Sequence, residues 1–127
     1  MYKRKIESFL SDWKNTPNHK PLVIKGCRQC GKTSSVVAFA KKHYKHVIYI
    51  DFHEQEQLCA LFAGSLSVDY LTMAISASVP GAQFVPHNTC LVLDEIQNCP
   101  RARSSLKFFM KDGRYDVICT GSLLGVS

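Results

Sequence analysis

Apolar residues in the first fifteen positions fall at Ile6, Phe9, Leu10 and Trp13, the spacing that lines one face of a helix. Asn15-Thr16-Pro17-Asn18 breaks that pattern, so a helix at about 3–14 is expected. The pattern then changes to short continuous apolar runs, at 21–26 around Leu22-Val23-Ile24, at Val47-Ile48-Tyr49-Ile50, at 90–95 and at Val117-Ile118-Cys119-Thr120. Runs without polar alternation belong to strands buried on both faces of a parallel sheet. Helical segments are expected between them: 32–43, a short helix from Gln55 to Ala63 stopped by Gly64, and one capped by Ser67 or Asp69 with Leu71 and Ile75 facing in. That third helix ends before Pro80-Gly81, and Ala82 to Thr89 reads as loop. The last helix begins at Pro100, places Ala102, Leu106, Phe109 and Met110 on one side, and stops at Gly113. Strands alternating with helices imply right-handed crossovers and a three-layer α/β/α domain, with ligands at the carboxyl ends of the strands.

Chemistry-bearing residues fall at three of those ends. Gly26-Cys27-Arg28-Gln29-Cys30-Gly31-Lys32-Thr33 fits G-x-x-x-x-G-K-T and turns the first strand into a helix, the context of a phosphate-binding loop. Its glycines let backbone N–H groups and the positive helix end converge on phosphates. Lys32 supplies a cation for the β- and γ-phosphates and Thr33 a hydroxyl for Mg²⁺, so the candidate nucleotide contacts are Gly26 through Thr33 with Ser34. Cys90-Leu91-Val92-Leu93 runs into Asp94-Glu95. There Asp94 is a candidate Mg²⁺ ligand through its water shell, and Glu95 a candidate base that polarises water for attack on the γ-phosphate. The acidic pair argues against a small-molecule kinase, whose acceptor hydroxyl must displace that water. Thr120-Gly121-Ser122 follows the fourth strand, and reads equally as a hydroxyl placed near the γ-phosphate or as a glycine turn closing a strand.

With 127 residues and 46% hydrophobic composition, the chain can bury one core, which fits a single domain. No apolar run approaches the ~20 residues that span a bilayer, and the basic start leads into an amphipathic segment instead of a signal peptide, so a cytoplasmic protein is expected. The net charge of +6 is unevenly spread: residues 1–46 carry +9, residues 47–100 carry −6 and residues 101–127 carry +3. A basic first third could face nucleic acid, but Lys25, Arg28 and Lys32 serve a nucleotide as well, and Lys41, Lys42 and Lys45 sit at a helix end where cations are favoured. Any nucleic-acid binding is expected to be weak. Six cysteines, at 27, 30, 59, 90, 99 and 119, are read as reduced, several of them buried in strands. Cys27 and Cys30 lack the second pair of a zinc site, and the histidines share no metal-binding spacing.

Taken together, Arg28-Gln29-x-Gly31-Lys32-Thr33, Leu93-Asp94-Glu95-Ile96-Gln97, Ser105-Leu106-Lys107-Phe108-Phe109 and Gly121-Ser122-Leu123-Leu124-Gly125-Val126 resemble the N-terminal AAA-type ATPase domain of a large prokaryotic group of predicted ATPases that also carry a C-terminal domain of unknown function. The resemblance covers nearly the whole chain. It implies a P-loop NTPase sheet in the order 1-4-3-2, with Lys32 and Thr33 as the Walker A pair and Asp94 and Glu95 as the Walker B pair. Ser122 or Thr120 becomes the polar sensor. It also implies that relatives continue with a fifth strand, a helical lid and the C-terminal domain, so an arginine finger and second sensor are expected outside these residues. ATP and Mg²⁺ are the implied cofactors; self-association or the C-terminal domain are the implied partners besides ATP. An ATPase module, a nucleotide-binding module without catalysis, and a nucleic-acid-binding protein are the three readings the sequence leaves open.

Overall fold

A computed structural model describes residues 2–17, 19–26 and 32–122. Four parallel strands form one sheet in the order β1-β4-β3-β2, with β1 at Leu22–Gly26, β2 at His46–Asp51, β3 at Thr89–Asp94 and β4 at Asp116–Ser122. The helices are α1 (Tyr2–Asn15), α2 (Lys32–His43), α3 (Val68–Ser78) and α4 (Pro100–Asp112). Strand β3 explains the layering, since all six of its residues are buried. Cys90 and Val92 point into one core with Leu10 of α1 and Val36, Phe39 and Ala40 of α2. Leu91 and Leu93 point into the other, with Leu71 and Ile75 of α3 and Phe109 of α4. Each such side chain contributes roughly 1.5–3 kcal/mol by leaving water. The order 1-4-3-2 and the α/β layering are those the sequence implies.

Helix ends follow local chemistry. Ser67 caps α3, its hydroxyl accepting from the Tyr70 N–H, and Pro100 opens α4. Gly113 closes α4 in the left-handed conformation at φ 74°, where its N–H reaches the Phe109 carbonyl at 3.0 Å.

Several local expectations are corrected. The short helix expected from Gln55 to Ala63 is present over 56–62 and is wound as a 3-10 helix; it has no side-chain cap and closes i to i+3 bonds such as Ala63 N–H to the Ala60 carbonyl. Among the described side chains of α1, Leu10 is buried and Trp13 packs partly buried against the same core, whereas Phe9 is 52% exposed, one position and about 100° round the helix from Leu10. On α4 the buried line is Ala102, Ser105 and Phe109, while Met110 turns outward. Seven residues from Ala102 return almost to the same direction; eight overshoot by about 80°. Ser105 tolerates burial because its hydroxyl donates to the Ala102 carbonyl at 2.6 Å. Strand β3 ends at Asp94, one residue short, so Glu95 stands outside it, followed by a 3-10 turn at Ile96–Asn98 that the apolar pattern does not signal.

The cysteines also depart from the all-reduced expectation. Cys59 and Cys99 are joined as a disulfide, tying the 3-10 segment at 56–62 to the start of α4. Their 40-residue separation and unlike contexts give no sequence cue to the pairing. Cys90 and Cys119 are buried free thiols, as a strand context predicts.

Candidate functional site

Parallel pairing brings the strand ends to one edge of the sheet. Gly26 of β1 lies opposite Ser122 of β4, Leu93 of β3 opposite Cys119 of β4, and Asp51 of β2 opposite Asp94 of β3. Since β4 separates β1 from β3, Asp94 stands roughly 10 Å across the sheet from the end of β1. That end is where the phosphate-loop motif begins. The motif's flanks are in the expected context: β1 closes on Gly26 and α2 starts at Lys32. Cys27, Arg28, Gln29, Cys30 and Gly31 lie outside the described residues, as do the side chains of Lys32, Thr33 and Ser122 and the string Leu123 to Ser127. Ser34 is exposed on α2 and lines an open groove with Val37, Lys41 and Tyr49.

Asp94 is buried and held from both neighbouring strands. The Tyr49 hydroxyl of β2 donates to Oδ2 at 2.7 Å, and the Thr120 hydroxyl of β4 donates to Oδ1 at 2.5 Å. Thr120 thus turns its hydroxyl towards Asp94. Burial, the bond to Asp94 and the negative charges of Asp94, Asp51 and Glu95 hold the Tyr49 phenol well above its usual range, so it remains a donor. Sequence reasoning missed Tyr49. A tyrosine inside the buried run 47–50 was the available signal, because a phenol in such a place needs a polar partner.

Glu95 follows in a left-handed conformation, φ 55° and ψ 52°, which costs a non-glycine residue roughly 1–2 kcal/mol. Its carboxylate is almost fully buried and accepts a 2.7 Å hydrogen bond from Nε2 of Gln97. In the sequence Gln97 stands out only as part of the string Leu93-Asp94-Glu95-Ile96-Gln97. It sits against Gly121, where an added Cβ would lie 2.7 Å from the Gln97 Oε1.

This edge combines the end of the strand that leads into the loop motif, a helix N-terminus and two buried acids, one closing the strand one place removed and the other just past it. Residues 18–127 match a family model described as an AAA domain. The chain belongs to that family. Its AAA domain, a nucleotide-binding P-loop NTPase unit, starts just ahead of β1, so α1 lies outside the matched region. A search of curated proteins finds no match to this chain. Among the described residues, no helix is long and apolar enough to cross a membrane, and no group of three or more His, Cys, Asp and Glu gathers to hold a metal by itself.

Mg²⁺, which the family implies, prefers oxygen ligands and keeps much of its water. Asp94 fits that preference. It is a carboxylate at the carboxyl edge of the sheet, and its oxygens are oriented by two hydroxyl donors.

Proposed function

We propose that this AAA domain binds ATP with Mg²⁺ at the carboxyl edge of its sheet and hydrolyses it. The observation that carries the reading is the pair Asp94-Glu95, two buried carboxylates at the end of β3, facing across β4 the strand that feeds the phosphate-loop motif. Paired acids at the carboxyl edge of a parallel sheet, where such folds bind ligands, suit a bound cation and a proton transfer.

In this reading the loop Gly26 to Gly31 and the N-terminus of α2 cradle the phosphates, and Lys32 neutralises the β- and γ-phosphate charge. Asp94 and Thr33 would hold the Mg²⁺, which when bound offsets charge on the phosphate oxygens. Glu95 orients a water and takes its proton as that water attacks the γ-phosphorus in line, breaking the bond to the β–γ bridging oxygen and releasing ADP and phosphate. Tyr49 and Thr120 keep Asp94 in one orientation, and Ser122, the other candidate sensor, is the last residue of β4. We also place the protein in the cytoplasm, with residues 1–127 acting as one ATPase domain that includes the α1 helix.

Phosphate release from Mg-ATP tests the proposal. The wild type should turn over, and Glu95→Gln should keep Mg-ATP affinity while losing about 10²–10⁴ in rate, the usual loss when a general base is removed. Turnover by Glu95→Gln at the wild-type rate would remove Glu95 from that role. Binding without any wild-type turnover would favour a nucleotide-binding module.

A further inference from the structure

Thr120 and Gly121 are consecutive on β4, and each bears on one of the two acids. Thr120 donates directly to Asp94. Gly121 acts at one remove: the Gln97 amide lies over it and donates from Nε2 to Oε1 of Glu95. Glu95 is past the end of β3, so no strand ladder fixes its backbone, and the 3-10 turn that follows is what returns residue 97 to it. The turn is closed by Asn98 N–H to the Glu95 carbonyl and Cys99 N–H to the Ile96 carbonyl, both at 3.0 Å, and is pinned by buried Ile96.

The amide's orientation is decided by chemistry. Only its NH₂ group can donate to a carboxylate, which sends Oε1 towards Gly121. There Oε1 is buried and has no hydrogen-bond partner among the described residues. A side chain serving packing alone would not incur that penalty. Glycine at 121 leaves room for this arrangement, because an added Cβ would lie 2.7 Å from Oε1 and the amide would have to shift.

We propose that Gln97 is the positioning residue for Glu95, and that the end of β4 serves as a template for both acids, Thr120 for Asp94 and Gly121, through Gln97, for Glu95. The inference rests on Glu95 acting as the base. Its chemical content is specific. A neutral donor of glutamine's length aims the carboxylate without competing for the proton; a glutamate at 97 would repel it, and a methionine would keep the shape but lose the donor.

The test measures kcat and KM for phosphate release together with melting temperature. Gln97→Met should lower kcat by about 10- to 100-fold, the loss of one hydrogen bond to a charged group, with KM changed less than about twofold. Gly121→Ala should reproduce that kcat loss by displacing the amide, and the two changes combined should be no worse than either. In the Glu95→Gln background, Gln97→Met should have no further effect on the rate. A wild-type kcat in Gln97→Met, or losses that multiply in the combined variant, would overturn the inference while leaving the ATPase reading in place. Absence of wild-type turnover would instead sink the ATPase reading. The seat at Gly121 is then judged by melting: Gly121→Ala should lower the melting temperature of the wild type more than that of Gln97→Ala. An equal shift in both backgrounds would contradict the seat.

Discussion

Tyr49 reaches from the edge strand β2 to Asp94 on β3 with a 2.7 Å hydrogen bond to Oδ2, while Thr120 of β4 takes the other oxygen. The carboxylate is therefore held from both neighbouring strands. Tyr49→Phe removes one grip and keeps the ring. Because the hydroxyl is only partly buried, water replaces part of the loss. Mg-ATP affinity should fall by about three- to tenfold, below the full value of a charge-assisted bond. Calorimetric titration in Mg²⁺ and again in EDTA checks it: the loss should vanish without the metal.

Alkaline pH should weaken the fold. Burial first, then nearby negative charge, pushes the Cys90 thiol far up; burial pushes the Cys119 thiol up to about 12. Burial and the bond to Asp116 raise the Tyr44 phenol in the same direction. Below the ordinary thiol value of 9.0 both folded and unfolded chains keep these protons. Above it the unfolded chain ionises first, so stability is full below about pH 9 and declines as pH rises towards the folded values, by up to ~1.4 kcal/mol per pH unit for each group. Urea melts at about pH 8, 9 and 10 should show the decline, and Cys119→Ala should flatten it. A stability independent of pH over that range would contradict the burial of these groups.

The thiols should separate into three classes on alkylation. Cys59 and Cys99 should resist iodoacetamide until a dithiol reductant is added, and Cys90 and Cys119 until the chain unfolds. Cys27 and Cys30, placed by sequence beside Arg28 and Lys32 in a phosphate loop, should react first and be protected by Mg-ATP. In non-reducing buffer Cys59→Ser should cost about 2–4 kcal/mol, a typical value for a disulfide. Peptide mapping after a timed pulse reads the three classes; rapid labelling of Cys59 without reductant would rule out the bridge.

Neighbouring residues on α4 give a sharp contrast. Phe109 is 1% exposed and Met110 is 43% exposed. Phe109→Ala should cost about 3–5 kcal/mol, and Met110→Ala less than about 0.5. Equal costs, measured by denaturant melts, would contradict the observed face of the helix.

Much of this fold was legible because its signals are local. Four unbroken apolar runs, a glycine-rich loop motif and Pro100 and Gly113 at a helix's two ends are read within a few residues each. The strand order had to come from resemblance, since composition does not say which strands pair. The site divided in the same way. Asp94 and Glu95 were visible as acids ending an apolar run, yet what orients them was not: Tyr49 lies 45 positions from Asp94 in the chain and Thr120 lies 26 away. Gln97 is near in sequence, but its role depends on a left-handed residue at 95 and a glycine at 121, conformational facts with no apolar pattern behind them. Met110 lies outside the face the spacing predicts, since eight residues from Ala102 overshoot the helix repeat, whereas Leu106 packs partly buried against the core as expected.

Calorimetric titration of Mg-ATP into the wild type and Lys32→Ala is the most direct test of the central claim, that the carboxyl edge of this sheet is an ATP site. Lys32 opens α2 and is the cation that the loop motif directs at the β- and γ-phosphates. One saturable site is expected in the wild type, with an affinity at least about tenfold lower in Lys32→Ala, consistent with losing a charge-assisted contact. Equal affinity in the two proteins, or no saturable binding by the wild type, would contradict it.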